Sequence, residues 1–391
     1  MQRILLVNNV IKIEIDRNKK VLFLLALSAI ILFSLSWVFR NFALLLLGGA
    51  ISLSSLSLVI RKGTSLILTA ISLLVGWALV EFLIPFIPIT DSPTAELHYD
   101  PNCGYSNHYF RKNINGLGYL PNPGSYTSRR LDILTGEEIY NVTYTIGEDG
   151  FRFSPDGDRA NIYLMGGSFT FGEGLEDNET LSHYMQVSSG KPVKNFGIHG
   201  YGMHQALYIL ENLYPAPENG TVILQTAPWH ALRSAGKFYY DCTKGSAKYK
   251  LTGNYVTDVG TWKRYPYLIY SRSKMWPPIR ELWFEKIDSN DIGLYLGIIR
   301  TIARETHKSG SKLLIAFIKS RENHFRSFCQ WDNQSIMDEL SSFADGFVDV
   351  TLAETREALD PKFYLHEYDE HPSALANEVR AKLILQAMED L

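Results

Sequence analysis

The chain has 391 residues, of which 46% are hydrophobic and 20% charged, so it is long enough for two or three domains and too apolar to be soluble throughout. Its formal net charge is -3, and its soluble part has no stripe of Lys and Arg with which to neutralise phosphates. Nucleic acid is therefore not an expected partner.

Nearly all the long apolar runs precede residue 90. The stretches 21–39, 42–60 and 66–89 each approach the roughly 20 residues a helix needs to cross about 30 Å of hydrocarbon. Their number and short connections fit a cleavable signal peptide poorly. They predict three transmembrane helices after a cytoplasmic segment, 1–20, with the lipid bilayer as a partner. Arg3, Lys12, Arg17, Lys19 and Lys20 precede the first stretch, and Arg61 and Lys62 separate the second from the third. No Lys or Arg then follows until Arg111, and only Arg40 opposes the pattern. The positive-inside rule puts the N-terminus in the cytoplasm and the C-terminal domain outside, which predicts a multi-pass protein of the cell membrane. Glu81 is expected to face neighbouring helices or the outer interface. Cys103, Cys242 and Cys329 all fall on the outer side, where one disulfide and one spare thiol are reasonable. Their pairing stays open. Asn141, Asn178, Asn219 and Asn333 each begin a glycosylation triplet, which matters only in a eukaryotic secretory host.

Residues 90–160 are rich in Pro, Gly, Asn and Tyr, and read as a lead-in of short strands and loops, with one alternating strand at 140–146. From 161 to 391 strands and helices alternate. Strands are expected at 162–165, 193–198, 221–227, 312–318 and 346–350. Helices are expected near 179–187, 204–213, 292–307 and 374–388. An aromatic insertion, about 237–283, interrupts the series. This alternation predicts an α/β domain, a parallel sheet with helices on both faces, whose ligand would sit at the carboxyl ends of the strands.

Two constellations lie at such ends. The first strand runs into Met165-Gly166-Gly167-Ser168-Phe169-Thr170-Phe171-Gly172. A Ser after two glycines projects from a tight turn with its own N–H free to donate, which suits a nucleophile carrying half an oxyanion hole. A phosphate loop and an ordinary turn are the competing readings. Before the last helix stands His366-Glu367-Tyr368-Asp369-Glu370-His371-Pro372-Ser373. His371, at a helix N-terminus, would resist protonation, and Asp369 would offset this by orienting the ring. Leu375, Val379 and Leu383 would pack that helix on the sheet. A metal site and a solvated loop are alternatives for this run. No metal or cofactor is expected, since nothing in the sequence nearby looks like a third His or Cys ligand.

These motifs, with Asn195-Phe196-Gly197-Ile198-His199-Gly200-Tyr201-Gly202 between them, resemble the SGNH/GDSL hydrolase superfamily over roughly residues 160–391. The resemblance implies a flavodoxin-like three-layer parallel sheet. It also implies Ser168 as nucleophile, His371 as general base and Asp369 as its orienting carboxylate. The N–H groups of Ser168 and Gly200 would hold the oxyanion. The family's third block carries an Asn, whereas this chain reads Gln225-Thr226-Ala227-Pro228-Trp229-His230. Trp229 takes the Asn slot, and a neutral His230 or the Trp229 indole would replace the missing donor. Asp-x-His stands here in place of the commoner Asp-x-x-His, and Gly167 stands where many members carry Asp.

Membrane-tethered relatives often act on O-acetyl groups of cell-surface polysaccharides. The resemblance therefore implies a carbohydrate O-acetyl esterase or acetyltransferase, the latter needing a membrane acyl-donor partner. Trp229 and Tyr201 are candidate substrate contacts. Tyr239, Tyr240, Trp262, Tyr265, Tyr267 and Trp276 of the insertion would either stack on sugars or form core. The competing class is an inert binding or assembly protein of a cell-envelope polysaccharide system.

Overall fold

The computed structural model describes residues 28, 31, 50–51, 70–78, 94–96, 108–132, 135–237, 245–262, 286–352, 360–366 and 369–391. The three expected spans and Glu81 lie almost wholly outside these residues, as do Cys103, Cys242 and the insertion aromatics other than Trp262. Residues 70–78 are helical, and no helix among the described residues is long and apolar enough to cross a membrane. Cys329 is a free thiol. The chain divides into two compact units, 1–91 with 266–281, and 92–265 with 282–391. The second carries everything that follows.

The lead-in comprises β1 (Thr94–Glu96), β2 (Phe110–Ile114), β3 (Gly118–Pro121), β4 (Gly124–Asp132) and β5 (Glu138–Ile146). β2 pairs with β3, and β4 lies antiparallel between β1 and β5. The alternation of β5 puts Tyr140, Val142, Tyr144 and Ile146 on one face, and all four are buried. They join Tyr109, Phe110, Tyr119 and Phe151 in a core continuous with the α/β domain.

That domain is built on β6 (Ile162–Met165), β7 (Val193–Asn195), β8 (Thr221–Thr226), β11 (Lys312–Phe317) and β12 (Gly346–Asp349). The spatial order is β12-β11-β8-β6-β7, and all pairs are parallel. The first strand of the sheet thus lies between the second and the third, which is the flavodoxin-like order. Period-two alternation sorts its side chains. Val222, Leu224, Leu313, Ile315 and Phe317 face one core, and Ile162, Leu164, Ile223, Leu314 and Ala316 the other. Each Val, Leu, Ile or Phe side chain so buried contributes roughly 1.5–3 kcal/mol. The helices are α1 (Ser168–Phe171), α2 (Leu181–Ser189), α3 (Met203–Asn212), α4 (His230–Ser234), α5 (Ser289–His307), α6 (Asn333–Ser341) and α7 (Ala374–Glu389). α5 starts at a capping box, in which the Asp288 side chain accepts from Asn290 and Asp291 N–H.

The insertion gains a regular element, and one local expectation fails. The aromatic insertion contains an antiparallel hairpin, β9 (Ala247–Thr252) and β10 (Tyr255–Thr261), held to α5 where Leu251 and Val256 approach Gly297. The seating of α7 also differs. Leu375 is exposed, and the buried face is Ala376, Asn377, Arg380, Ala381 and Ile384. Polar contacts turn the helix: Arg380 Nε donates to the Val350 carbonyl at 3.0 Å, and Asn377 Nδ2 to that of Glu179 at 3.2 Å.

His204, buried in α3, has no hydrogen-bond partner on either ring nitrogen among the described residues, and burial pushes its pKa down to about 3. An unfolded His binds a proton near 6.5, so between about 6.5 and about 3 the unfolded chain holds the extra proton and stability is lost as the pH is lowered. In thermal melts, His204→Leu is expected to match or exceed the parent near neutrality, with a flatter loss of Tm in acid.

Candidate active site

β6 ends against a turn that tolerates no side chain at its first glycine. A Cβ on Gly166 would lie 2.1 Å from Thr170 Oγ1 and 2.8 Å from the Gln225 carbonyl oxygen. Ser168 follows as the first residue of α1, so its N–H is one of the donors that a helix start leaves unsatisfied. The turn is held from behind. Thr170 Oγ1 donates to Gln225 Oε1 at 2.6 Å, and Asn195 Nδ2 to the Thr170 carbonyl at 2.9 Å. Gly197 is equally constrained, because a Cβ there would meet Phe171 N at 2.4 Å. The Asn195-Phe196-Gly197 phrase after β7 is thus the backing of the Ser168 turn.

His371 and Asp369 sit on β14 (Asp369–Pro372), which pairs with β13 (Tyr364–His366). Residues two apart on a strand share a face, so both side chains reach the same side. Asp369 Oδ1 lies 2.5 Å from His371 Nδ1, and His371 Nε2 lies 2.9 Å from Ser168 Oγ. Ser168, His371 and Asp369 are therefore one hydrogen-bonded chain. Intervening Glu370 pairs with Arg321.

The expected helix-end environment of His371 is corrected here: Ser373 caps α7, accepting from Ala376 N–H at 3.2 Å, and His371 lies outside the first turn. Its electrostatics differ accordingly. Burial disfavours the imidazolium, but Glu173 and Asp369 outweigh burial and hold the His371 pKa above its ordinary value. Asp369 is buried, which pushes its carboxyl up, yet His371 and Arg130 bring it below the usual carboxylate range. Arg130 Nη1 donates to Asp369 Oδ2 at 2.7 Å.

Opposite the serine, His230 opens α4 at the end of β8. Its Nδ1 accepts from Ala227 N–H at 3.2 Å and lies 3.2 Å from Thr226 Oγ1, itself 2.9 Å from the Tyr295 hydroxyl. Burial, with Arg233 and His204 nearby, holds the His230 pKa well below its ordinary value. A neutral ring that accepts at Nδ1 carries its proton at Nε2. That Nε2 is turned toward the serine turn, 3.2 Å from where a Gly167 Cβ would stand. Gly167 also leaves room for Arg233, whose Nη1 would be 2.9 Å from the same Cβ. Ser168, Trp229 and His230 line a small cleft with residues 167, 169–170, Gln225 and Ile318. The Trp229 ring centroid is 5.7 Å from that of Phe169. The cleft lies at the carboxyl ends of β6 and β8, the point where the strand order reverses.

Tyr201 is not a substrate contact. It is 1% exposed, and its hydroxyl donates to the Tyr119 carbonyl at 2.5 Å, so it is packed away with the lead-in. Gly200 occupies a left-handed turn, φ +71°, between β7 and α3, and is not among the residues lining the cleft. No metal-binding cluster occurs among the described residues, and both ring nitrogens of His371 are engaged by Asp369 and Ser168.

Sequence reasoning missed Arg130 and Glu173. Glu173 Oε2 lies 3.4 Å from His371 Nε2 and 2.7 Å from His199 Nδ1. Its only sequence signal is a lone carboxylate between Gly172 and Gly174, and Arg130 in β4 carries none.

One solved structure similar to this chain, assigned as a lipolytic protein of the G-D-S-L family from Desulfitobacterium hafniense DCB-2, has 13% sequence identity and a TM-score of 0.33. The match covers 59% of this chain and 98% of that one. No protein-family model and no curated protein matches the sequence.

Asp369 is nearly inaccessible, and Arg130 is its cation. Arg130→Gln is expected to cost roughly 1.5–3 kcal/mol in denaturant melts by removing one of the two partners of a buried carboxylate and leaving His371 as the other. Arg130→Lys should restore part of that loss, since an ammonium keeps the charge without the planar fork.

Proposed function

We propose that this chain is a membrane-anchored serine esterase or acyltransferase acting on ester-linked acyl groups, O-acetyl groups above all, of an extracytoplasmic substrate such as a cell-surface polysaccharide. The observation that carries the reading is the chain of contacts from Ser168 Oγ through His371 to Asp369, with 2.9 and 2.5 Å links. Such a chain is what activates a hydroxyl whose free pKa makes it a poor nucleophile.

In this reading Ser168 Oγ attacks the ester carbonyl while its proton passes to His371 Nε2. Asp369 stabilises the imidazolium from Nδ1. The proton then goes to the departing alkoxide as the C–O bond breaks, leaving an acyl group on Ser168. Water or a sugar hydroxyl enters where the alkoxide left and attacks the acyl carbon as its proton passes to His371; the bond from that carbon to Ser168 Oγ then breaks, and His371 returns the proton to Oγ. The oxyanion would be held by Ser168 N–H, Gly200 N–H and His230 Nε2–H. The hydrogen bond that Nδ1 of His230 accepts from Ala227 N–H supports its part, because it fixes the proton on the other nitrogen. The apolar walls that Phe169, Trp229 and Ile318 give this small cleft favour a short acyl group over a long one. The apolar N-terminal stretches support anchoring, with a membrane acyl-donor protein as partner if the acceptor is a sugar. The inert-protein reading leaned on the lost Asn, and His230 supplies a donor in its place.

A serine-reactive fluorophosphonate is expected to label the purified protein, and neither Ser168→Ala nor His371→Ala; equal labelling of all three removes Ser168 as nucleophile. On an activated acetate ester, His230→Ala is expected to lower kcat about 10²- to 10³-fold, the usual cost of one oxyanion donor. Unchanged kcat would exclude His230 from that role.

A further inference from the structure

His371 Nε2 is hydrogen-bonded to the serine hydroxyl, and a carboxylate stands beside the same atom. Ser168 Oγ is 2.9 Å from Nε2, and Glu173 Oε2 is 3.4 Å from the same atom. The carboxylate is buried, 7% exposed, and its position is fixed by its own backbone. Glu173 N–H donates to the Ser168 carbonyl at 3.2 Å, and Gly174 N–H to the Tyr144 hydroxyl at 2.8 Å. Gly174, at φ +77°, has to be glycine, since a Cβ would meet Leu365 at 2.2 Å and Tyr140 at 2.9 Å. The segment is thus wedged between α1, β5 and β13, with its carboxylate aimed at the ring.

Behind Glu173 stands His199, from the turn after β7. Its Nδ1 is 2.7 Å from Glu173 Oε2, and its Nε2 is 3.0 Å from the Tyr109 hydroxyl. Burial keeps His199 below its ordinary pKa against the pull of Glu173, so the ring is neutral. It donates from Nδ1 to the carboxylate and accepts at Nε2 from Tyr109. Burial pushes the Glu173 carboxyl up, but His371, His199 and Arg130 outweigh that and hold it far below the usual carboxylate range. The charged and titratable groups facing His371 are Asp369 from β14, Arg130 from β4 and Glu173. Arg152 and His199 stand behind the last. A carboxylate this close to the atom that receives a proton is not neutral scenery.

We propose that Glu173 is a positioning residue of the site, a second carboxylate that holds the proton Ser168 hands to His371 at Nε2, itself kept in place by His199 and Tyr109. The proposal rests on the serine-nucleophile reading above. The balance is simple. The Ser168 O–H bond breaks, the Nε2–H bond forms, and the Glu173 carboxylate, 3.4 Å from Nε2, stabilises the new positive charge as a neighbouring anion without taking the proton. The proton later leaves to the alkoxide. Between turnovers the same anion favours the protonated ring, so Glu173 makes His371 a stronger base and moves the acid limb of activity to higher pH.

The test is a ¹⁵N-histidine NMR titration of the full chain, with the His371 signal identified by its loss in His371→Ala. The midpoint for His371 is expected above that of a free imidazole, and about one unit lower in Glu173→Gln, as loss of a charge at this range implies. Glu173→Asp, which keeps the charge but withdraws it by one methylene, is expected to fall between, and it carries the test if the Gln variant does not fold. The acid limb of fluorophosphonate labelling should move down with the midpoint. An unmoved midpoint, or labelling that weakens equally at every pH, is the signature of a merely structural Glu173 and overturns the proposal. A moved midpoint in a chain that never labels supports the Glu173–His371 pairing and removes the esterase reading instead.

Discussion

The hydrogen bond between Asp369 and His371 is the contact on which the rest of the site depends, because it orients the imidazole and brings an anion into a place with almost no water. A buried carboxylate has to be compensated. Arg130 compensates it from the lead-in, His371 from the same strand, and the serine turn closes against the free end of the ring. Each partner comes from a different part of the chain: β4, β14, and the junction of β6 with α1. The sheet fixes the last, and the β13–β14 hairpin the other two relative to it. Four charged or chargeable groups, Arg130, Asp369, His371 and Glu173, then lie together with their signs nearly balanced. This arrangement costs less than any of them buried alone.

Much of this architecture was legible because two periods are hard to disguise. Strands at 162–165, 221–226 and 312–317 lie within a residue of where apolar runs placed them, since a strand covered on both faces has no polar positions to blur its ends. Ser168, His371 and Asp369 were legible as candidates because Gly-Gly-Ser and Asp-x-His are local patterns. What was not legible is long-range. Nothing in the sequence near Arg130 points to a carboxylate 239 positions later. The hairpin at 247–261 hid among aromatic residues whose alternation is broken by a bulge between Asp258 and Thr261.

The errors share a cause. α7 reads as an apolar stripe through Leu375, but its rotation is set by where Arg380 and Asn377 find carbonyls, and a buried guanidinium outranks one leucine. Tyr201 reads as an aromatic beside a glycine turn and so as a surface for substrate. Its hydroxyl is instead spent on the Tyr119 backbone, which joins the lead-in to the α/β domain. His371 reads as belonging to the helix, whereas the cap at Ser373 puts it in a strand, and its neighbours rather than a helix dipole decide its charge.

The pairing of Arg130 with Asp369 has a consequence for how such a site is inherited. The boundary near residue 160, where the parallel sheet begins, separates two styles of sequence but does not separate two functions. A cation on one side of it completes an anion on the other, so the α/β portion is not portable as a cassette. Recombination at that boundary would transfer the nucleophile turn and its histidine intact and leave behind the ion that lets them stay charged in the dark of the core. Lead-in and sheet have therefore to evolve as one unit, however different they look.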